Sequence, residues 1–370
     1  RRPAAPVVAD ARVNQPLVDR AVIEKTMKLK ITDAGKTVEL ARQPDGTWRV
    51  PSYYDMAADF NKLSGFVGNL TDAKLQRLVS SRAEIISRLE FKDTKIELFD
   101  AAGKPLQTLT LGKNAETGGG RYVRFGEEPK AFLTNLSAWL DTEPKNWANA
   151  ELINLKADDI AKIEIPFAEG GPITVSRAKK EDPWVAENAP AGQKVKGDKI
   201  ASLLGSIGTI RFSDTSALDD ANVTAAKANL RTFKLETFDK KVVKVALGRK
   251  PEEKKLKPPT EGKTGLAALG SLTDLAKKEG ETKPGEEKKE DKPLAPEFET
   301  IPAGPVVAII SHSDASVPVN ALMEKRAFQI SDYTFTGLPQ KADELFEPAP
   351  APAPATPITT TEEKKPESKK

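Results

Sequence analysis

Internal repetition constrains this chain more than any other feature, because a chain that repeats an ordered set of elements folds as a set of like units. Residues 35–42 form an alternating, β-branched stretch that ends in Arg42, crosses a polar turn and reaches Trp48. Residues 170–177 do the same, ending in Arg177 ahead of Trp184. Such alternation predicts a half-buried strand in both places. A helix follows each. Leu63, Phe66, Val67 and Leu70 match Ile200, Leu203, Leu204 and Ile207, each set at the i, i+3, i+4, i+7 spacing of one buried helical face. Asp59 and Asp198 stand where a carboxylate caps or favours a helix start. Gly68 and Gly205 fall at matching places that would let a helix approach a sheet closely. Residues 95–100 and 234–239 then open two β-hairpins, which end at Leu111-Gly112 and Leu247-Gly248. Trp48 stands as far from Gly112 as Trp184 does from Gly248.

The order continues past the hairpins. Gly118-Gly119-Gly120 leads into a strand at 121–125, and 306–310 is its counterpart. Ala131-Phe132-Leu133, with Trp139 and Trp147 beyond it, is set against Ala321-Leu322-Met323, with Phe328-Gln329-Ile330 beyond it. The expected fold is therefore α+β: two tandem repeats, each a mainly antiparallel β-sheet with one or two packed helices. A single sheet continuous through both units is the alternative. The first repeat is expected over residues 25–157 and the second over 158–340.

Composition places the remaining residues. The 370 residues are 38% hydrophobic and 30% charged, with a mean hydropathy of −0.46. Two cores can be built only if charge is concentrated elsewhere. It is: about 250–296 is rich in Lys, Glu, Pro and Gly, and 341–370 is an Ala-Pro stretch followed by Thr, Lys and Glu. Neither buries enough apolar area to offset ordering entropy, so a disordered insertion in the second repeat and a disordered tail are expected. Residues 1–24 read as a linker. The chain starts at Arg1-Arg2-Pro3, as the mature side of a removed anchor or signal would, or as a trimmed chain would.

The residue inventory argues against most chemistry. There is no Cys, which excludes disulfides, thiolate nucleophiles and Cys-ligated metals. His312 is the single histidine, and neither serine beside it lies in a nucleophile-elbow pattern. Asp158-Asp159 and Asp219-Asp220 are adjacent doublets, which point apart on a strand or helix and suit turns and caps. The Gly118–120 run feeds a strand and not a helix, so it lacks the form of a phosphate loop. Lys plus Arg number 57 against 54 for Asp plus Glu, interspersed, which is no nucleic-acid footprint. No catalytic residue, cofactor or metal site is expected, and the chain is read as non-enzymatic. Two distant carboxylates acting on a glycan or cell-wall polymer remain an alternative, as does simple glycan or peptide binding. Arg121, Tyr122 and Arg124 are the candidates for a partner contact, since Tyr and Arg are enriched at interface hot spots. Alternation places Arg121 on one strand face and Tyr122 with Arg124 on the other. The alternative for all three is a solvated sheet face. The four tryptophans are expected in the core, with Trp48 and Trp184 as framework residues.

Several segments together resemble a bacterial family known as domain of unknown function 4340. They are the strand pair before Asp45-Gly46-Thr47-Trp48-Arg49-Val50, the helix ending near Leu70, Leu109-Thr110-Leu111-Gly112, the Gly-rich lead into Tyr122-Val123-Arg124, and Trp147 followed by Leu152-Ile153. The resemblance covers most of residues 20 to 340. It implies an extracytoplasmic, periplasmic module held by an N-terminal membrane helix that this chain lacks. It also implies membrane transporter subunits of an ABC-type or gliding system as partners. The family brings no catalytic residues to carry over.

Overall fold

In the computed structural model, residues 9–257 and 297–354 are described. Most of the expected disordered insertion (258–296) and the end of the tail (355–370) lie outside that range, but the first residues of the insertion are ordered: Glu253–Leu256 pairs antiparallel with Phe298–Ile301. The chain divides into two compact units, Arg1–Leu152 and Ile153–Lys370.

The first unit is built on one sheet. Its strands are β1 (Lys28–Asp33), β2 (Lys36–Arg42), β3 (Trp48–Val50), β4 (Met56–Ala57), β5 (Leu75–Ser80), β6 (Lys95–Phe99), β7 (Pro105–Asn114), β8 (Arg121–Phe125) and β9 (Ala131–Thr134). They lie in the order β4-β3-β2-β1-β6-β7-β8-β9-β5. Alternation sets the register: Leu29 faces Leu40 and Leu98, and Ile31 faces Val38 and Ile96, all buried. Each such side chain contributes about 1.5–3 kcal/mol by leaving water. Helices α1 (Arg20–Lys25), α2 (Phe60–Asp72) and α3 (Ala83–Ile86) complete the unit. Asp59 caps α2 by accepting from the Lys62 N–H at 3.1 Å, and Leu63, Phe66 and Leu70 form its buried face.

The second unit has β10 (Ile160–Ile165), β11 (Ile173–Ser176), β12 (Val185–Ala186), β13 (Asp214–Ser216), β14 (Leu230–Thr237), β15 (Val242–Gly248), β16 (Val306–His312) and β17 (Ala327–Ile330). Their order is β12-β11-β10-β14-β15-β16-β17-β13. With the two-residue edge strand β4 set aside, the two sheets have one strand order. In both, the fourth strand in sequence crosses over to pair antiparallel with the last. The helices are α4 (Gly197–Ile207), α5 (Ala221–Lys227), α6 (Pro318–Lys325) and α7 (Asp332–Thr336). Ile200, Leu203, Leu204 and Ile207 are buried on α4. Mainly antiparallel sheets with packed helices make the chain α+β.

Several expectations need correcting. Residues 9–24 are not a linker. Leu17 and Val18 are fully buried, the Asn14 N–H donates to Leu75 O at 2.7 Å, and α1 is capped by Asp19. Their apolar positions lack periodicity, which hid them. The fold also runs beyond residue 341: Phe346–Pro348 pairs with Gln193–Val195, and Leu345 and Phe346 are buried. Asp198 lies in the first turn of α4 but Lys196 is its cap residue. A Cβ at Gly68 or Gly205 would meet nothing within 4 Å, so neither glycine serves a close approach. Ala321-Leu322-Met323 lies in α6 and is not the counterpart of β9. That place belongs to β17, where Phe328 faces Ala308 as Phe132 faces Val123. Trp139 is 83% exposed, while Trp147 and Trp184 are buried and Trp48 is half-buried.

Candidate functional site

The Gly118–Gly120 turn joins β7 to β8 and sets the position of the candidate residues. All three glycines have positive φ, between +72° and +96°. At Gly120 a Cβ would also stand 2.5 Å from the Thr134 carbonyl oxygen, so only glycine fits.

β8 alternates, so Arg121 leaves one face and Tyr122 and Arg124 the other. The three line three different hollows. Arg121 lines the largest, about 690 Å³, with Asp33, Asn114, Asn135, Ser137 and Trp139 among its other walls. Tyr122 lines a second of about 320 Å³, and Arg124 a third of about 480 Å³. The segment containing α3 and the turn Ser87–Leu89 parts the second from the third: Ile85, Arg88 and Leu89 face one, and Ala83, Ile86 and Ser87 the other. Strand alternation alone could not show that division.

In the largest hollow, Arg121 is fixed through its Nε–H, which donates to Gly112 O at 2.8 Å. Burial lowers the pKa of the guanidinium, while the Asp33 carboxylate opposes that shift. Asp33 is itself held by the Thr94 hydroxyl at 2.9 Å, and Asn135 by the Lys74 N–H at 2.7 Å. Trp139 stands exposed in the irregular stretch after β9. Two residues on, Asp141 accepts from Lys62 Nζ at 2.6 Å, and its carbonyl accepts the Trp147 indole N–H at 2.9 Å. Burial raises the Asp141 pKa, but hydrogen bonds from Lys62, the Glu143 N–H and Asn146 outweigh it and leave the pKa lowered. A rigid base thus carries an exposed indole beside a guanidinium and side-chain amides. Such a set presents a stacking face and hydrogen-bonding groups.

Arg124 is mostly buried; it stacks on Phe91 at 5.2 Å and meets Glu127 at 3.1 Å, and among the described residues its Nε has no partner. His312 accepts from the Asp314 N–H through Nδ1 at 3.0 Å, and its backbone is clasped by Asn320. Asp220 caps α5. Among the described residues no three His, Asp or Glu side chains cluster to hold a metal ion. No helix among them is long and apolar enough to cross a membrane.

Fold and hollow together define an α+β protein with two large sheets of one strand order, the first bearing a recessed surface. The chain belongs to the family described as Domain of unknown function (DUF4340), whose model matches residues 48–232. That stretch starts in β3 and ends in β14, taking in parts of both units. No curated protein and no solved structure matches the chain.

Proposed function

We propose that this chain is a non-enzymatic binding module made of two tandem copies of one unit. It stands outside the cytoplasmic membrane and serves an ABC-type transport or gliding complex. The observation that carries the binding reading is the exposed Trp139 beside Arg121 in a hollow of about 690 Å³. Trp and Arg are the residue types that dominate interface energetics, and a large exposed indole on a fixed base has no packing role. The setting outside the membrane and the transporter partner follow from the family resemblance. A photo-crosslinking residue in place of Trp139, in native membranes, tests this. Capture of a transporter subunit at 139, but not at exposed Lys180, is expected. Absence of any membrane protein from the 139 crosslinks would remove the transporter partner.

Trp139 also favours a second reading, a glycan or peptide as the direct ligand, which would quench indole fluorescence in the isolated protein. The hydrolase reading gains less support. Asp33 is the one carboxylate among the described residues lining that hollow. A smaller hollow holds Asp159 and Asp239, but the Thr237 hydroxyl bonds Asp239 and keeps its carboxyl below the usual range. A general acid needs the opposite shift.

A further inference from the structure

The hollow beside Tyr122 is unlike its surroundings in charge. Arg77 from β5, Arg88 from the Ser87–Leu89 turn and Lys113 from β7 converge on it, above Ile85, Leu89 and Leu133. Among the described residues Glu116 is the single lining carboxylate; it lies 3.8 Å from Lys113 and its side chain is 86% exposed. Among the described residues neither Arg77 nor Arg88 has a side-chain hydrogen bond or ion pair. Like charges drawn together repel, and nothing in the sheet requires them here.

The second unit shows what the frame itself requires at this place. The registers put Val307 where the first unit has Tyr122, Ile309 where it has Arg124, and Asp214 where it has Arg77. The covering segment approaches alike in both: a Cβ at Gly112 would lie 2.4 Å from Leu89 O, and one at Gly248 2.7 Å from Asn229 O and 2.9 Å from Ala226 O. In the second unit, Val223, Ala226, Val307 and Ala327 fill the space as one apolar cluster, with Ile309 against it. The first unit has a basic recess beside Tyr122 instead, in which Lys113 follows Gly112 as Arg249 follows Gly248 but Arg77 stands where the second unit has Asp214.

We infer that this recess binds the phosphate group of a phosphate ester. Three cations against one carboxylate leave two positive charges, which match a phosphate monoester dianion. Guanidinium groups fork onto phosphate oxygens, and the Tyr122 hydroxyl adds a donor. Ile85, Leu89 and Leu133 offer an apolar wall to the organic part of the ester.

The test is a calorimetric titration of the full chain with inorganic phosphate and with phenyl phosphate. A parallel flotation assay uses phosphatidylcholine vesicles with and without phosphatidic acid. Phenyl phosphate should bind more tightly than inorganic phosphate. Arg77→Gln and Arg88→Gln should each weaken binding about tenfold or more, and added salt should weaken it further. Arg82→Gln removes an exposed arginine that pairs with Glu84 outside the recess, and should change nothing. Flotation only with phosphatidic acid would identify a lipid headgroup as the source; binding of phenyl phosphate without flotation would identify a soluble ester. The site is disproved if neither phosphate probe nor the phosphatidic acid vesicles bind, if binding survives both arginine variants, or if Arg82→Gln weakens it equally. Trp139→Ala should leave phosphate binding unchanged, so this inference and the proposed function fail separately.

Discussion

The two units share a strand order but spend their interiors differently. Phe132 on β9 and Phe328 on β17 hold one position, each fully buried. One strand over, the likeness ends. β16 presents Val306, Val307 and Ile309 where β8 presents Arg121, Tyr122 and Arg124. The second unit closes an apolar core between its short helix and its sheet; the first leaves hollows lined with cations and an aromatic. Residues that the frame needs recur in both units, whereas residues present only in the first stand where the frame does not need them.

Truncating the shared position should have the largest effect. Phe132→Ala and Phe328→Ala are each expected to destabilise their own unit by about 3–5 kcal/mol, the range for a buried phenyl group, as read by denaturant unfolding of the full chain. If either lost under 1 kcal/mol, the two positions would not be equivalent. Phe132 also carries the stacked Arg12 guanidinium at 4.8 Å, so its loss should loosen the N-terminal segment as well.

That segment makes the second prediction. Asp10 accepts from Arg12 at 2.9 Å and from Lys130 at 3.0 Å, and Arg12 also donates to Glu128 at 2.7 Å. The Arg12 guanidinium holds the carboxyls of both Asp10 and Glu128 below the usual range. Folded values below unfolded ones mean that this stabilisation is complete above the unfolded carboxylate pKa, about 4. It is lost as pH falls through the depressed folded values. The first unit should therefore loosen on acidification, with protease cleavage near residue 14 as the readout. Asp10→Asn should lower stability at neutral pH by about 1.5–3 kcal/mol and flatten that acid dependence. An acid profile unchanged by Asp10→Asn would show that the clasp does not hold the segment.

Exchanging residues between the units sharpens the contrast. Val307→Tyr puts the first unit's side chain into the filled cluster and should cost about 1–3 kcal/mol through overpacking. The reverse change, Tyr122→Val, enters a hollow and should cost about 1 kcal/mol or less. Arg124→Ile should be near neutral, because its Nε is buried with no partner among the described residues, and removing both the charge and that donor relieves desolvation. Equal costs in both directions would mean that the first unit's hollows are as tightly packed as the second unit's core.

Much of the frame was legible in local patterns. Two-residue alternation marked β2 and its counterpart, the hairpin pattern marked β6 and β7 and theirs, and the i, i+3, i+4, i+7 spacing found the buried faces of α2 and α4. The crossover that carries β5 beside β9 was not legible, because that pairing joins residues far apart in sequence and no local signal fixes it. Arg77 enters the basic recess only through this pairing, opposite Leu133, so neither Arg77 nor Arg88 stood out beforehand. Arg121, Tyr122 and Arg124 were singled out by residue type and alternation. The structure keeps their two faces but sends them to three hollows. Trp139 was misjudged as core because residue type outweighed the missing periodicity around it.

The smallest effect on stability is expected at Trp139 itself, and it is the most discriminating. Its side chain is 83% exposed, so Trp139→Ala should shift unfolding by no more than about 0.5 kcal/mol. Trp147→Ala, eight residues on, removes a buried indole whose N–H is bonded to Asp141 O and whose ring lies 5.7 Å from that of Phe66. It should cost about 3–5 kcal/mol. The two variants exchange roles when the readout is partner capture from membranes. Trp139→Ala should abolish capture while leaving the fold intact, and Trp147→Ala should reduce capture only as far as it unfolds the first unit. If Trp139→Ala were stable and still captured the partner, the exposed indole would be incidental. The binding surface would then have to be sought among the other residues that the second unit lacks, beginning with Arg121.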